Sequence, residues 1–462
     1  MKPKENMVAI AQQLAVRILS PKYTELPKKA VHWAKIGLLD TLGVTIAGAI
    51  EPCTSKALGV QGIADADGSS VLIGQGRRTS ILDAAFINGI AAHAMDYDDV
   101  NNQIGGHPSV PIVPALFAFG DSVPISGEAA IAAYVVGFET ETQIGLGVNY
   151  FHYAKGWHPT ATIGIFGTVA VGARLLALSV EQTAQALAIA VSLASGVKAN
   201  FGTMTKPLHI GHSVRNGVMA VLMAKDGFTA NDSAFEHTQG FFEVFNGTPN
   251  YNIDQIFANW GSPWNVIEPG PSLKLYPCCG STHGAIECAL TLRESHRFDP
   301  SEITFVQVYT DPKRLPHTNN PHPKTNLAAK FSVQYVVARA LIDGAVKLNH
   351  FEEDAIQEPF IRQLMAKVTM GIHPDMKDPK TDTYAAEVRL IMNDGQNFIH
   401  RSGDIVLRGP GRPMDEEELF QKFNDCAKGL LKPKSLQYLF DMLRNFENLP
   451  SINIVTDELM GI

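Results

Sequence analysis

The 462-residue sequence predicts a mainly α protein, a large all-helical domain with a smaller α+β domain inserted towards its C-terminal end. Three observations carry that prediction. Helical periodicity runs from Thr24 to Gly247, period-two strings of β-branched residues appear only after Ser272, and helical periodicity returns over residues 414–449. A chain this long exceeds one ordinary core, and two domains fit both its length and its changes of texture.

Each element has its own signal. Thr79-Ser80 offers an N-cap ahead of Ile81, Ala85, Ile87, Ile90 and Ala94, which recur at helical spacing. Segments 161–178 and 182–195 repeat the pattern with many Ala and Gly, and small residues at that density let helices approach closely in a bundle. Pro263, Pro269, Gly270 and Pro271 then break it. After one more helical segment, Ile303-Thr304-Phe305-Val306-Gln307-Val308 and Ala386-Glu387-Val388-Arg389-Leu390-Ile391 alternate as strands do. Gly409-Pro410-Gly411-Arg412-Pro413 forms a second break. The simplest chain path puts residues 1–265 and 405–462 in the helical domain and 266–404 in the α+β domain.

Hydrophobic residues make up 45% and charged residues 18% of the chain, the balance of a folded protein with a large core. A net charge of −8 with no long Lys/Arg run argues against a nucleic-acid or membrane-surface partner. The first twenty residues interleave Lys2, Lys4, Glu5, Gln12, Gln13 and Arg17 with apolar positions, which interrupts any signal-peptide core. No run of about 18 apolar residues follows, so the expected location is cytoplasmic. Cys53, Cys278, Cys279, Cys288 and Cys426 include no CxxC pair, which speaks against a disulfide framework or an iron–sulfur cluster.

Four short segments set ionisable residues into apolar or Gly/Pro-rich surroundings. The first runs from His93-Ala94-Met95-Asp96-Tyr97-Asp98-Asp99 to Gly105-Gly106-His107-Pro108-Ser109. On a continuous helix His93, Asp96 and Asp99 share one face. A solvated helix end explains this segment alone equally well, and a metal site lacks a second carboxylate motif. In the second, Gly156-Trp157-His158-Pro159-Thr160, the histidine precedes a helix, whose positive dipole end favours neutral imidazole; a plain helix cap is the alternative. The third gathers Lys206, His209, His212 and Arg215 within ten residues, a density that suits an anion site. Its string His209-Ile210-Gly211-His212 also occurs in class I aminoacyl-tRNA synthetases, but no strand-rich nucleotide-binding domain surrounds it here. The fourth, Ser272 to His283, carries Lys274 at the domain junction, Cys278-Cys279 as small packing residues and His283, which is as readily a core histidine.

In this order, and with Leu38-Leu39-Asp40-Thr41-Leu42-Gly43, Lys330-Phe331-Ser332-Val333-Gln334-Tyr335 and Asp343-Gly344, the segments resemble the MmgE/PrpD family over nearly the whole chain. That resemblance implies a helical domain with an inserted α+β lid, a homodimer, a site in the cleft between domains, and neither metal nor organic cofactor. Carried over residue by residue, it implies active-site positions at Asp96, His107, His158, Lys206 and Lys274. His209, Arg215, Cys279, His283 and His317 join them as candidate substrate contacts. The family includes 2-methylcitrate dehydratase, cis-aconitate decarboxylase and iminodisuccinate epimerase. Val100, His317 and Cys279 stand where animal decarboxylases carry threonine, tyrosine and histidine, whereas the segments at 156–160 and 200–207 look like the epimerase.

The expected function is a cofactor-independent acid–base lyase, a dehydratase or decarboxylase of a small di- or tricarboxylic acid. Lys206, Lys274 and Arg215 would hold carboxylates, His107 and His158 would exchange protons, and Asp96 would orient a histidine or lysine. The alternatives are an epimerase or isomerase of a dicarboxylate such as iminodisuccinate, and a non-catalytic carboxylate-binding protein.

Overall fold

Ser80 starts the helix that leads into the site. Its hydroxyl accepts the Asp83 amide at 3.2 Å, and helix Ile81–Ala94 then buries Ala85, Ile87, Ile90 and Ala94. Each large apolar side chain removed from water in this way contributes about 1.5–3 kcal/mol. The helix crosses Thr205–Lys225 at a pair of glycines, where a Cβ on Gly89 would lie 2.9 Å from Gly211 Cα. That close approach brings the two backbones nearly into contact. The helices run in opposite directions, so the end of one meets the start of the other: Asp96 pairs with Lys206 on one side of the crossing and Asp83 with Arg215 on the other.

The computed structural model describes residues 8–352, 354–376 and 384–461. Lys2, Lys4 and Glu5 lie outside the described residues, whereas Gln12, Gln13 and Arg17 fall on helix Ile10–Leu19. The chain is mainly helical and divides into two compact units, one made of the chain up to Pro271 with Asp415 onward, the other of Ser272–Met414.

The first unit stacks Lys28–Gly48, Ser109–Gly120, Gly127–Val148, Gly164–Leu175 and Val180–Leu193 around the crossed pair. It is not purely helical. Strands Ser70–Leu72 and Arg77–Thr79 form an antiparallel hairpin, closed by a turn in which Gly74 and Gly76 have φ of 71° and 59°. Three-residue strands are too short to leave a periodic signal, which is why the expected all-helical domain needs this correction. Asp415 caps helix Glu416–Ala427 with a reciprocal Glu418 contact, and that helix packs against Lys28–Gly48.

The second unit holds a four-stranded sheet in the order Val368–Ile372, Ile303–Thr310, Ala386–Met392, Asn397–Arg401. The first pair is parallel and the others antiparallel. Val306 and Val308 face Leu390 and Val388 across the ladder and join one core with Ala285, Ala289 and Val336 from the helices. The unit begins at Ser272 and ends at Met414, later at both ends than residues 266 and 404. The reason is local: Leu273 and Arg408 exchange backbone hydrogen bonds of 2.5 and 3.0 Å, and Arg412 reaches Glu287 at 3.0 Å.

Among the described residues no single helix is long and apolar enough to cross a membrane; Lys28–Gly48 with Pro52–Leu58 meets that test only as a pair bent by 72°.

Candidate active site

Helix Ile81–Ala94 stops one residue before the acidic run. Met95 is its C-cap, and Asp96 turns the chain with φ of 51°, a left-handed conformation that a short polar side chain tolerates. The expected common helix face of His93, Asp96 and Asp99 therefore does not form. Three buried carboxylates need partners in three directions, and the turn supplies them: Asp96 meets Lys206, Asp99 meets Ser109, and Asp98 meets two histidines.

The rest of the loop returns to the same place. Asn101 donates its amide to the Gly106 carbonyl at 2.8 Å, and its side-chain oxygen accepts the Gln103 amide at 2.8 Å. Gly106 can then touch the start of the next segment, because a Cβ there would sit 2.5 Å from Thr160 Oγ1. His107 donates its amide to that same oxygen at 3.2 Å. The contact brings His107 and His158, 51 positions apart in sequence, into one group. From behind, Lys422 donates to the Tyr97 carbonyl at 3.0 Å and pairs with Asp40 at 2.5 Å, tying the loop to helix Glu416–Ala427.

Asp98 Oδ2 lies 2.7 Å from His93 Nδ1 and 3.0 Å from His107 Nδ1. Such a carboxylate favours a proton on both Nδ1 atoms and leaves Nε2 of each ring as the atom that can take one. His93 packs against His107 and His158, with ring centroids 4.7 and 5.6 Å apart. His158 Nδ1 is 3.1 Å from His209 Nδ1, and the His158 ring meets Phe201 edge-on. Lys206 Nζ is 2.5 Å from Asp96 Oδ1, and His107 Nε2 is 4.0 Å from that oxygen.

Burial is the main cause of the site's protonation pattern. It lowers His93 and His209 to about 4 and holds His158 well below the usual histidine range, with the Lys206 charge and neighbouring imidazoles adding to the effect. His158 is thus neutral chiefly because it is buried; the helix that follows it has only four residues, and its side chain caps nothing. Burial alone would raise Asp98, but His107 and His93 outweigh it and keep the carboxyl well below the carboxylate range. Asp99, whose donors are the Ser109 hydroxyl and amide and no imidazole, is pushed by burial, against those hydrogen bonds and with help from Asp40, up to about 7. His93 Nε2 and His158 Nε2 are buried without a hydrogen-bond partner among the described residues. Orphaned polar atoms of this kind mark a place where a ligand or a proton is received. His107, with 13% of its side chain exposed, is the member of the trio that reaches solvent.

Asp96, His107, His158, Lys206 and His209 therefore come together in the first unit. Arg215 does not join them. It lies nine residues beyond Lys206 on the same helix, about 13 Å along the axis, and faces Asp83 at 4.0 Å. Nor is Lys206 a free cation, since it holds Asp96. Asp96 and Asp98 thus set two carboxylates beside the one ammonium of Lys206. His209, Gly211 and His212 lie within helix Thr205–Lys225, where Gly211 serves helix packing.

Lys274, Cys279, His283 and His317 belong to the second unit. Lys274 is buried, and Cys279 donates its amide to the Lys330 carbonyl at 3.0 Å. His283 faces the Cys278 carbonyl at 3.3 Å and packs edge-on against Tyr276, a satisfied core histidine. His317 Nε2 is 3.0 Å from Ser281 Oγ. The residues sequence reasoning did not single out as site candidates are Asp98, Lys422 and His93. The carboxylate run Asp96-x-Asp98-Asp99 was a signal for the first; nothing local marks the second.

His93, Asp98 and His107 also converge closely enough, within 4.8 Å, to take a divalent cation. The fit is poor, because ligation through both Nδ1 atoms would remove the protons that hold the three side chains together.

Comparison with known proteins places the chain among relatives of similar length. A human cis-aconitate decarboxylase is 29% identical over 98% of this chain and 95% of its own length. The mouse protein of that name is 28% identical over 98% and 94%, and one from Aspergillus terreus 28% over 93% and 91%. Family models match across both units, the MmgE/PrpD N-terminal domain at residues 12–254, which carries the whole histidine–carboxylate group, and the MmgE/PrpD C-terminal domain at 276–447. The chain belongs to the MmgE/PrpD family.

Proposed function

We propose that this chain is a lyase that breaks a C–C or C–O bond beside a carboxylate of a small polycarboxylic acid, with cis-aconitate as the first substrate to test and 2-methylcitrate as the second. The observation that carries the reading is Asp98 holding two imidazoles next to a third, His158, and beside the Asp96–Lys206 pair. In decarboxylation the pair of the broken C–C bond stays on carbon and spreads towards a remaining carboxylate as CO2 departs. In dehydration the pair freed by removing a proton from carbon spreads into the adjoining carboxylate and then forms the alkene as the C–O pair leaves with the oxygen, which is protonated to water. Lys206 opposes the charge that develops on that carboxylate after exchanging Asp96 for the substrate, and His107 or His158 gives or takes the proton at carbon. The proposal uses no metal or organic cofactor, and the relatives' names favour decarboxylation.

Lys274 enters only through the family resemblance, and Lys274→Ala with a raised KM would support a carboxylate contact. A lid role for Ser272–Met414 and a homodimeric state are proposed on the same ground, the latter tested by sedimentation.

The deciding experiment incubates the protein in deuterated water with cis-aconitate, 2-methylcitrate, citrate and iminodisuccinate and follows each by NMR. Released CO2 or a new alkene supports the lyase. Deuterium entering an otherwise intact acid makes the protein an epimerase, and binding without conversion of any acid makes it a carboxylate-binding protein.

A further inference from the structure

His158 is 1% exposed, so while substrate fills the site a proton it takes or gives must travel through something other than bulk water. One route leaves its ring on the side away from His93. His158 Nδ1 is 3.1 Å from His209 Nδ1, within hydrogen-bond distance for two rings of which one carries a proton. His209 keeps 8% of its surface open, and His212, three residues further on the same helix face, is exposed. On its other side His158 packs against His93 with ring centroids 5.6 Å apart and no hydrogen bond between them among the described residues, so the hydrogen-bonded route is the one through His209. Phe201 closes one side edge-on, and the backbone amide of His158 is fixed to the Gly196 carbonyl at 3.0 Å. The charged and titratable groups around the rings are Lys206, His93, His107 and His212.

We propose that His209 is a proton relay serving His158, connecting the buried imidazole to solvent while substrate fills the site, and not a contact for a substrate carboxylate. The inference rests on the proposed lyase reading. In the direction that protonates carbon, His158 gives up its Nε2 proton, His209 passes its Nδ1 proton to His158 Nδ1, and water supplies one to His209 Nε2. Both rings then carry the opposite tautomer. A proton from water in the emptied site on His158 Nε2, transfer of the Nδ1 proton back to His209, and loss of the His209 Nε2 proton to solvent restore the starting state.

The test uses the full chain carrying His209→Ala and His209→Gln. Each variant should lose about 10²–10⁴-fold in kcat with KM little changed. Added imidazole should restore His209→Ala in a saturable way and leave the unsubstituted protein unaffected. Glutamine fills the space and accepts a hydrogen bond but cannot relay a proton, so it should be as slow as alanine even where alanine folds poorly. Full kcat in His209→Gln, or a rise in KM without imidazole rescue, would overturn the relay and make His209 a binding residue. A readout that needs no substrate separates this from failure of the lyase reading. In protein labelled with ¹⁵N-histidine, a coupling across the hydrogen bond between the two Nδ1 atoms should appear and vanish in His209→Gln. If that coupling is present and no acid on the panel turns over, the lyase reading fails and the hydrogen-bonded pair stands; if it is missing, the relay fails.

Discussion

Replacing Asp98 by Asn keeps the shape of the side chain and removes the charge from the atom that holds two imidazoles. His93 Nδ1 and His107 Nδ1 lie 2.7 and 3.0 Å from Asp98 Oδ2, and neither Asp98 nor His93 is exposed. The His93 hydrogen bond to a charged group is worth about 1.5–3 kcal/mol and the His107 contact adds to it; because both rings meet the same oxygen, an amide turns either its oxygen or its NH2 to both. The net loss of stability should then be about 2–4 kcal/mol. The larger effect falls on the tautomer. An amide NH2 facing a ring favours an unprotonated Nδ1, which moves that ring's proton to Nε2 and removes the base, and kcat should fall about 10²–10⁴-fold. The pH dependence has a definite sign. Because the Asp98 carboxyl is depressed in the folded protein, its stabilisation is present above the unfolded value of about 3.9 and disappears as pH falls through the folded value. The difference in thermal midpoint between the two proteins should be flat from about pH 5 to 8 and shrink only below about pH 4. Steady-state kinetics on the acid that turns over and calorimetry across that range check both parts. A kcat within about threefold of the unsubstituted protein, or a stability gap that widens on acidification, would refute the account of Asp98.

His158→Ala should depress kcat with KM nearly unchanged and lower the thermal midpoint only by the cavity it leaves; preserved kcat/KM in the folded variant would make the residue structural. Lys206→Ala should raise KM and also cost about 3–5 kcal/mol in unfolding free energy, because it leaves Asp96 a buried carboxylate without its ammonium; an unchanged midpoint would mean that the pair at 2.5 Å does not persist in solution. Asp99→Asn tests the opposite pH sign. A carboxyl raised to about 7 is favoured in the fold at low pH and loses stability as pH rises from about 4 to 7, so Asn should gain on the unsubstituted protein by about 2.5 kcal/mol between pH 5 and 8. A melting difference independent of pH would remove that reading. Finally, turnover should survive dialysis against a chelator; loss of activity restored by one metal would put an ion on His93, Asp98 and His107 after all.

The sequence by itself determined the elements that local chemistry dictates. Ser80 caps its helix because a short side-chain oxygen meets a free amide, and residues 303–308 and 386–391 are strands because β-branched side chains alternate. It also determined the family and five residues of the histidine–carboxylate group, since each stands in a segment with an unusual local pattern. It did not reveal the hairpin at 70–79, whose strands are too short for periodicity, or the end of the helix at Ala94, where Asp96 takes a conformation no spacing rule anticipates. Tertiary structure alone decided the pairings. Lys206 and Arg215 share a helix, yet the Gly89–Gly211 crossing sends one to Asp96 and the other to Asp83. Asp98 is distinguished from Asp96 and Asp99 only by which way a left-handed turn points it, and Lys422 reaches Tyr97 across 325 residues of chain. Side-chain identity is written locally, but the partner of a buried charge depends on which backbones meet, and that is fixed only when the helices pack.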